Sequence, residues 1–115
     1  MRKIELEILG AIKAKKTINL SERDRIEVNS DSLTFILWNS EIFRINYREG
    51  NFNFSFCGYP TKTTKDRINL FLSYFFTCCR VMLNDKIPFI IDEKGNKKQI
   101  NLNDIYTIDY NGKLL

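Results

Sequence analysis

The chain has 115 residues, 43% of them hydrophobic and 28% charged, with a formal net charge of +4. This length and balance exclude a disordered chain and fit one domain, residues 1–115, whose core needs neither disulfides nor a metal. Histidine is absent and cysteine occurs three times, which removes the commonest general base and metal ligand and argues against a disulfide framework.

Lys3 to Ile8 alternates, with Ile4, Leu6 and Ile8 against Lys3, Glu5 and Glu7, and that period of two favours a strand. A helix over residues 3–16 also fits, through Ile4, Ile8, Ala11 and Ile12, but Gly10 weakens it by about 1 kcal/mol relative to alanine. Thr17 to Leu20 alternates again, and Ser21 to Asp24 is a polar turn. Arg25 to Val28 reads as a strand with Ile26 and Val28 on one side. After the turn Asn29–Ser32, Leu33 to Trp38 is apolar on both faces, which predicts a central strand with Trp38 filling the core. Asn39-Ser40 supplies a two-residue hairpin connection, because asparagine tolerates positive φ. Glu41 to Tyr47 returns, Glu49-Gly50 turns, and Asn51 to Cys57 sends Phe52, Phe54 and Phe56 inward against Asn51, Asn53 and Ser55.

Gly58-Tyr59-Pro60 ends the sheet, since proline lacks a ladder donor and disfavours helix at Tyr59. Thr63-Thr64-Lys65-Asp66 matches a capping box in its aspartate form. The helix it opens is predicted to run to about Met82, with Ile68, Leu72, Phe75, Cys79 and Met82 on one face and Phe71 and Phe76 widening it. Asn84-Asp85 then turns. Ile87 to Asp92 is a strand that Pro88 confines to an edge or a strand start. Glu93 to Asn96 is a hairpin turn, Lys98 to Leu102 pairs back, and Ile105 to Asp109 adds a last strand. The start Met1 to Glu5 lacks the apolar core of a signal peptide. The apolar run Ile68 to Met82 is interrupted by Asn69, Ser73, Thr77 and Arg80, so no membrane span is expected and the chain reads as cytoplasmic.

Candidate sites stand beside plainer readings. Thr61 to Lys65, with Lys62 and Lys65, could hold an anion at a helix start; capping with solvent exposure explains the same residues. Arg23, Arg25, Arg44 and Arg67 could form an outward strip beside Trp38, Tyr47 and Tyr59, the arrangement that stacks single-stranded nucleic acid; pairing of Arg23 and Arg25 with Glu22, Asp24 and Glu27 is the alternative. Leu70 and Tyr74 lie off the main apolar face of the helix, which reads equally as burial or as an interface for a second copy or a partner, with Tyr59 nearby. No catalytic residue, cofactor or metal ligand is assigned. Cys57 would need a base beside it to act as a nucleophile, and a small buried hydrophobe is the simpler role.

The run Phe54-Ser55-Phe56-Cys57-Gly58-Tyr59-Pro60-Thr61-Lys62-Thr63-Thr64-Lys65-Asp66-Arg67-Ile68-Asn69-Leu70-Phe71-Leu72 resembles a family of small bacteriophage-encoded proteins with no agreed activity. Those carry a strand, a glycine turn, a Thr-Thr-Lys/Arg-x-Arg-hydrophobic-Asn run and a helix. Arg23 to Val28 and the hairpin at Trp38-Asn39 are similar too, so the resemblance covers Arg23 to Phe76. It implies a phage or prophage accessory protein and assigns no catalytic residue.

The expected fold is α+β: an antiparallel meander of about five to seven strands with one main helix on its Phe52/Phe54/Phe56 face. The expected function is non-catalytic, stoichiometric binding of a host protein, such as inhibition of a host enzyme or defence nuclease in the manner of an anti-CRISPR. The rivals are a small nucleic-acid-binding module using Lys62, Lys65, Arg67, Arg23, Arg25 and Arg44, and a virion-associated structural component. No small-molecule substrate is expected; a homodimer is a further candidate assembly.

Overall fold

Helical spacing, not alternation, governs the N-terminus. In the computed structural model, which describes residues 3–75, 77–111 and 113–115, Lys3–Ala14 is a helix, α1. Ile8, Ala11 and Ile12 are buried while Leu6 is exposed. A strand would have buried Leu6 with Ile4 and Ile8; the helix turns it out and gathers the three others on one stripe. Gly10 faces open space, so its conformational cost is met by the burial of its neighbours.

The strands that follow are β1 (Ile18–Asn19), β2 (Asp24–Val28), β3 (Ser32–Leu37), β4 (Ser40–Asn46) and β5 (Asn51–Phe54). Helix α2 (Lys62–Tyr74) comes next, then β6 (Arg80–Asn84), β7 (Ile87–Ile91), β8 (Lys97–Gln99) and β9 (Tyr106–Asp109). The fold is α+β, as the alternation implied. It has two sheets rather than one, ordered β1-β2-β3-β4-β5-β9 and β6-β7-β8, every neighbouring pair being antiparallel.

Register sorts the faces of the large sheet. Ile26, Phe35 and Phe43 share one row, and Leu33, Ile45, Phe52 and Ile108 another. All are buried. Arg25, Thr34, Ile36, Arg44 and Asn53 belong to the opposite face. Thr34 and Ile36 are buried there too, because Glu27 and Arg44 flank the first and Arg25 and Glu41 the second. Long charged side chains cover apolar surface with their stems.

Helix α2 lies between the two sheets. Phe71 stacks on Phe43 with centroids 4.7 Å apart and tilts against Phe35 at 5.2 Å; Phe75 meets Phe52 at 4.9 Å. On the other side the Asn69 side-chain amide donates to the Val81 carbonyl at 2.9 Å and accepts from the Val81 amide at 2.8 Å. Asn69 thus occupies the open edge of β6. Leu70 is buried, so the all-round apolar character of the helix reflects cover on both sides.

The helix stops eight residues short of the expected Met82. The amide and hydroxyl of Thr77 both donate to the Leu72 carbonyl, at 3.2 and 3.0 Å, and Cys78 turns the backbone left-handed with φ 59. Val81, Met82 and Leu83 then pair with Ile90, Phe89 and Pro88 across a tight turn at Asp85-Lys86. Cys79 and Met82 therefore belong to the second sheet and its approach, while Phe76 lies outside the described residues.

One buried polar contact spans this core. Arg67, fully buried, donates from Nε to Asp24 Oδ1 at 3.0 Å. Asp24 Oδ2 accepts from the Ser21 hydroxyl at 2.9 Å and from Arg23 Nε at 3.3 Å. The expectation that Arg67 faces water is corrected: one turn past the start of α2, its side chain crosses to the first residue of β2. Among the described residues its Nη1 and Nη2 have no hydrogen-bond partner.

Removing one partner of a buried pair strands the other charge, at a cost of about 3–5 kcal/mol, whereas apolar replacement of both is often tolerated. Asp24→Leu is expected to lose about that much by urea denaturation, and the double variant Asp24→Leu/Arg67→Met to be more stable than Asp24→Leu alone; additive losses would contradict the coupling. Gly58 has φ 80, and a Cβ there would lie 2.8 Å from Asn103 Oδ1. Gly58→Ala is expected to cost about 1–2 kcal/mol, with Asn103→Ala relieving the steric share.

Candidate functional site

The β3–β4 connection is one residue earlier than the sequence suggests. Leu37 pairs with Ser40, and Trp38 and Asn39 are the two central residues, with φ 50 and 64. This double positive φ is the two-residue hairpin geometry that follows the sheet's twist. Asparagine suits it; tryptophan does not, since a bulky residue in the left-handed region costs roughly 1–2 kcal/mol. Trp38 is also 57% exposed. The expectation that it fills the core is corrected: the turn holds the ring at the surface.

A second aromatic is set opposite by another left-handed turn. Cys57 and Gly58 have φ 52 and 80. The Cys57 thiol donates to the Glu41 carbonyl at 3.2 Å, and the Gly58 amide to the Leu102 carbonyl at 2.9 Å. Burial pushes the Cys57 thiol up from its ordinary value, away from the thiolate that a nucleophile needs. The chain then rises through Tyr59, 49% exposed, and the Thr61 amide bonds the Tyr59 carbonyl at 2.8 Å.

Thr61 is the N-cap of α2, and its hydroxyl accepts from the Thr64 amide at 3.2 Å. The cap thus sits two residues before the expected Thr63, because Thr61 has the extended backbone a cap requires. Asp66 falls beyond the first turn and pairs with Lys62 at 2.7 Å and with Lys65 at 3.6 Å. The first turn holds no acidic residue, so the positive end of the helix dipole meets no carboxylate of that turn.

Between these elements opens a cleft of about 480 Å³. It is lined by the aromatics Trp38 and Tyr59, the aliphatics Leu37 and Ile42, and Thr61, Thr63 and Thr64. The Trp38 amide donates to the Arg23 carbonyl at 2.9 Å, which ties the hairpin tip to the loop before β2. A wider depression of about 610 Å³ lies between Asn69, Cys78, Arg80 and Asp92 but has no aromatic wall. Among the described residues no group of three or more Cys, Asp or Glu side chains is placed to hold a metal ion. No described helix is long and apolar enough to cross a membrane.

The structure brings together some of the residues singled out from sequence. Tyr59 lines the cleft, Lys62 and Lys65 gather on Asp66 along α2, and the Arg23 guanidinium lies on Asp24. Arg25 and Arg44 stand on the opposite sheet face, paired with Glu27 at 3.3 Å and Glu41 at 2.6 Å. With Arg67 buried, the expected four-arginine strip does not form. Leu70 is buried and Tyr74 half-buried, edge-on to Phe75 at 4.9 Å. Trp38 was named from sequence as an aromatic beside the arginines, with core packing as its plainer role, because the turn was read from Asn39-Ser40; the dipeptide Trp38-Asn39 between two strand patterns was the available signal for its exposure.

No curated protein and no solved structure matches the chain. The family model described as Kyanoviridae Gp96 protein matches residues 1–112, well beyond the stretch Arg23–Phe76 that carried the phage resemblance. The chain belongs to the Kyanoviridae Gp96 protein family, a family of bacteriophage proteins.

Proposed function

We propose that this phage protein acts without catalysis, by stoichiometric binding of a protein partner in the cleft between Trp38 and Tyr59. The observation that carries the reading is Trp38 itself: exposed, at a hairpin tip, in a backbone conformation that tryptophan pays for. Strain held at one residue points to function when folding gives no reason for it. Tryptophan and tyrosine are the residues most enriched among the anchors that dominate protein interfaces. Inhibition of a host enzyme or defence nuclease is the form such binding would take in a phage accessory protein. The nucleic-acid reading drew on Lys62, Lys65, Arg67, Arg23, Arg25 and Arg44; of these Arg67 is buried and Arg25 and Arg44 are each paired with a glutamate, which favours the protein-binding reading.

Trp38→Asn supplies the residue that the turn favours. It is expected to raise stability by about 0.5–1 kcal/mol and to abolish partner binding. In affinity capture from host lysate, wild-type protein should retain a saturable partner in near-equal amount that Trp38→Asn and Tyr59→Ala lose. The same proteins retained by all three would contradict the reading.

A further inference from the structure

We infer that the outer face of the β6-β7-β8 sheet is a second docking surface, and that its occupant is one amphipathic helix of a protein partner, apolar along its centre and acidic at its margin. Val81 and Ile90, directly paired, are buried in the core. The residues alternating with them belong to the opposite face. There Ile91 pairs with Arg80 on one side and Lys97 on the other, Phe89 with Met82 and Gln99, and Ile87 with Asn84. Three rows result, with Met82, Ile87, Phe89 and Ile91 as their apolar centre. Ile87 is 42% exposed and the other three are half-buried, and none of the four belongs to the core or to the side chains packed against it. An apolar sheet face calls for another layer to cover it.

Charge and size select the occupant. Arg80 and Lys97 stand at the two ends of one row, and Lys97 Nζ lies 4.3 Å from the centroid of the Phe89 ring, which places it on this face. Both are exposed, and among the described residues neither forms an ion pair. The nearest acid in sequence, Asp92, spends its carboxylate on the Lys94 and Asn96 amides. A partner that meets the face therefore brings carboxylates to its margin. Residue centres on the face span roughly 10 by 13 Å, the breadth of one helix and about two and a half of its turns. A stable dimer of two copies would cover about 800 Å² on each, far more than this face offers. Single-stranded nucleic acid stacks on a series of rings, and Phe89 stands alone on this face. The face shares no residue with the Trp38–Tyr59 cleft, so its occupant is additional to the one bound there.

The test is selection of helix-forming peptides with randomised surface positions, displayed on particles, against the purified full-length protein, with Arg80→Glu/Lys97→Glu as the counter-target. Both changes lie at exposed positions, and the double variant should melt as wild type does. Enriched peptides should carry apolar residues three and four apart, flanked by aspartate or glutamate. A synthetic copy of one should gain helical circular dichroism on binding and weaken with added salt. It should weaken about tenfold with the double reversal and about threefold with Arg80→Gln or Lys97→Gln alone, be lost with Phe89→Ser, and be unchanged with Trp38→Asn. No enrichment over the counter-target, enrichment without acidic bias, or a bound peptide that stays non-helical overturns the inference. A wild-type dimer in light scattering that Phe89→Ser dissociates overturns it in favour of a second copy, and Phe89-dependent binding of labelled oligothymidine overturns it in favour of nucleic acid. A peptide lost with Trp38→Asn belongs to the cleft, which overturns this inference and leaves the protein-binding reading above intact.

Discussion

The buried ion pair between Asp24 and Arg67 is the contact on which the arrangement of the molecule turns. It joins the first residue of β2 to the second turn of α2, residues 43 apart in the chain. The same carboxylate takes the Ser21 hydroxyl and Arg23 Nε, so the loop before β2 is fixed by the same group. The Arg23 carbonyl in turn receives the Trp38 amide. A short chain of polar contacts therefore runs from the helix, through Asp24 and its loop, to the hairpin that carries one wall of the cleft. The helix start carries the other side. Two desolvated charges are costly unless geometry holds them together.

Around this pair the energetics are those of a layered aromatic core. Phe71 and Phe75 engage Phe35, Phe43 and Phe52, and Asn69 bonds the edge of the second sheet. The second sheet and the residue that follows it give Val81, Ile90 and Ile100 a place in the same core. The chain reaches that arrangement by ending α2 at Tyr74, which frees the residues after it to form a hairpin.

The meander from β2 to β5 was legible because period-two patterning and turn residues agree there. Phe52, Phe54 and Phe56 were placed inward, and they are. Elsewhere two periods or two roles competed. Residues 3–14 satisfy both alternation and helical spacing, and only the tertiary site for Ile8, Ala11 and Ile12 decides between them. Residues 75–83 continue a helical apolar face on paper; aromatic and β-branched side chains together with the Thr77 backbone bonds favour the sheet. Arg67 carries no mark in the sequence that distinguishes a buried arginine from a solvated one, since its partner is remote in the chain. For the cleft, Tyr59 was visible as a candidate, whereas the exposure of Trp38 was hidden by a turn displaced by one residue. That displacement is the difference between a core tryptophan and a surface one.

Trp38 is the chain's one tryptophan, so its fluorescence reports on the cleft alone. The most direct measurement is quenching of that emission by a small neutral quencher, in the free protein and in the presence of a tryptophan-free peptide from the captured partner. Ready quenching when free and strong protection with a blue shift when bound are expected if the cleft is the binding site. Emission already buried in the free protein, or quenching unchanged by a peptide shown to bind, would contradict it.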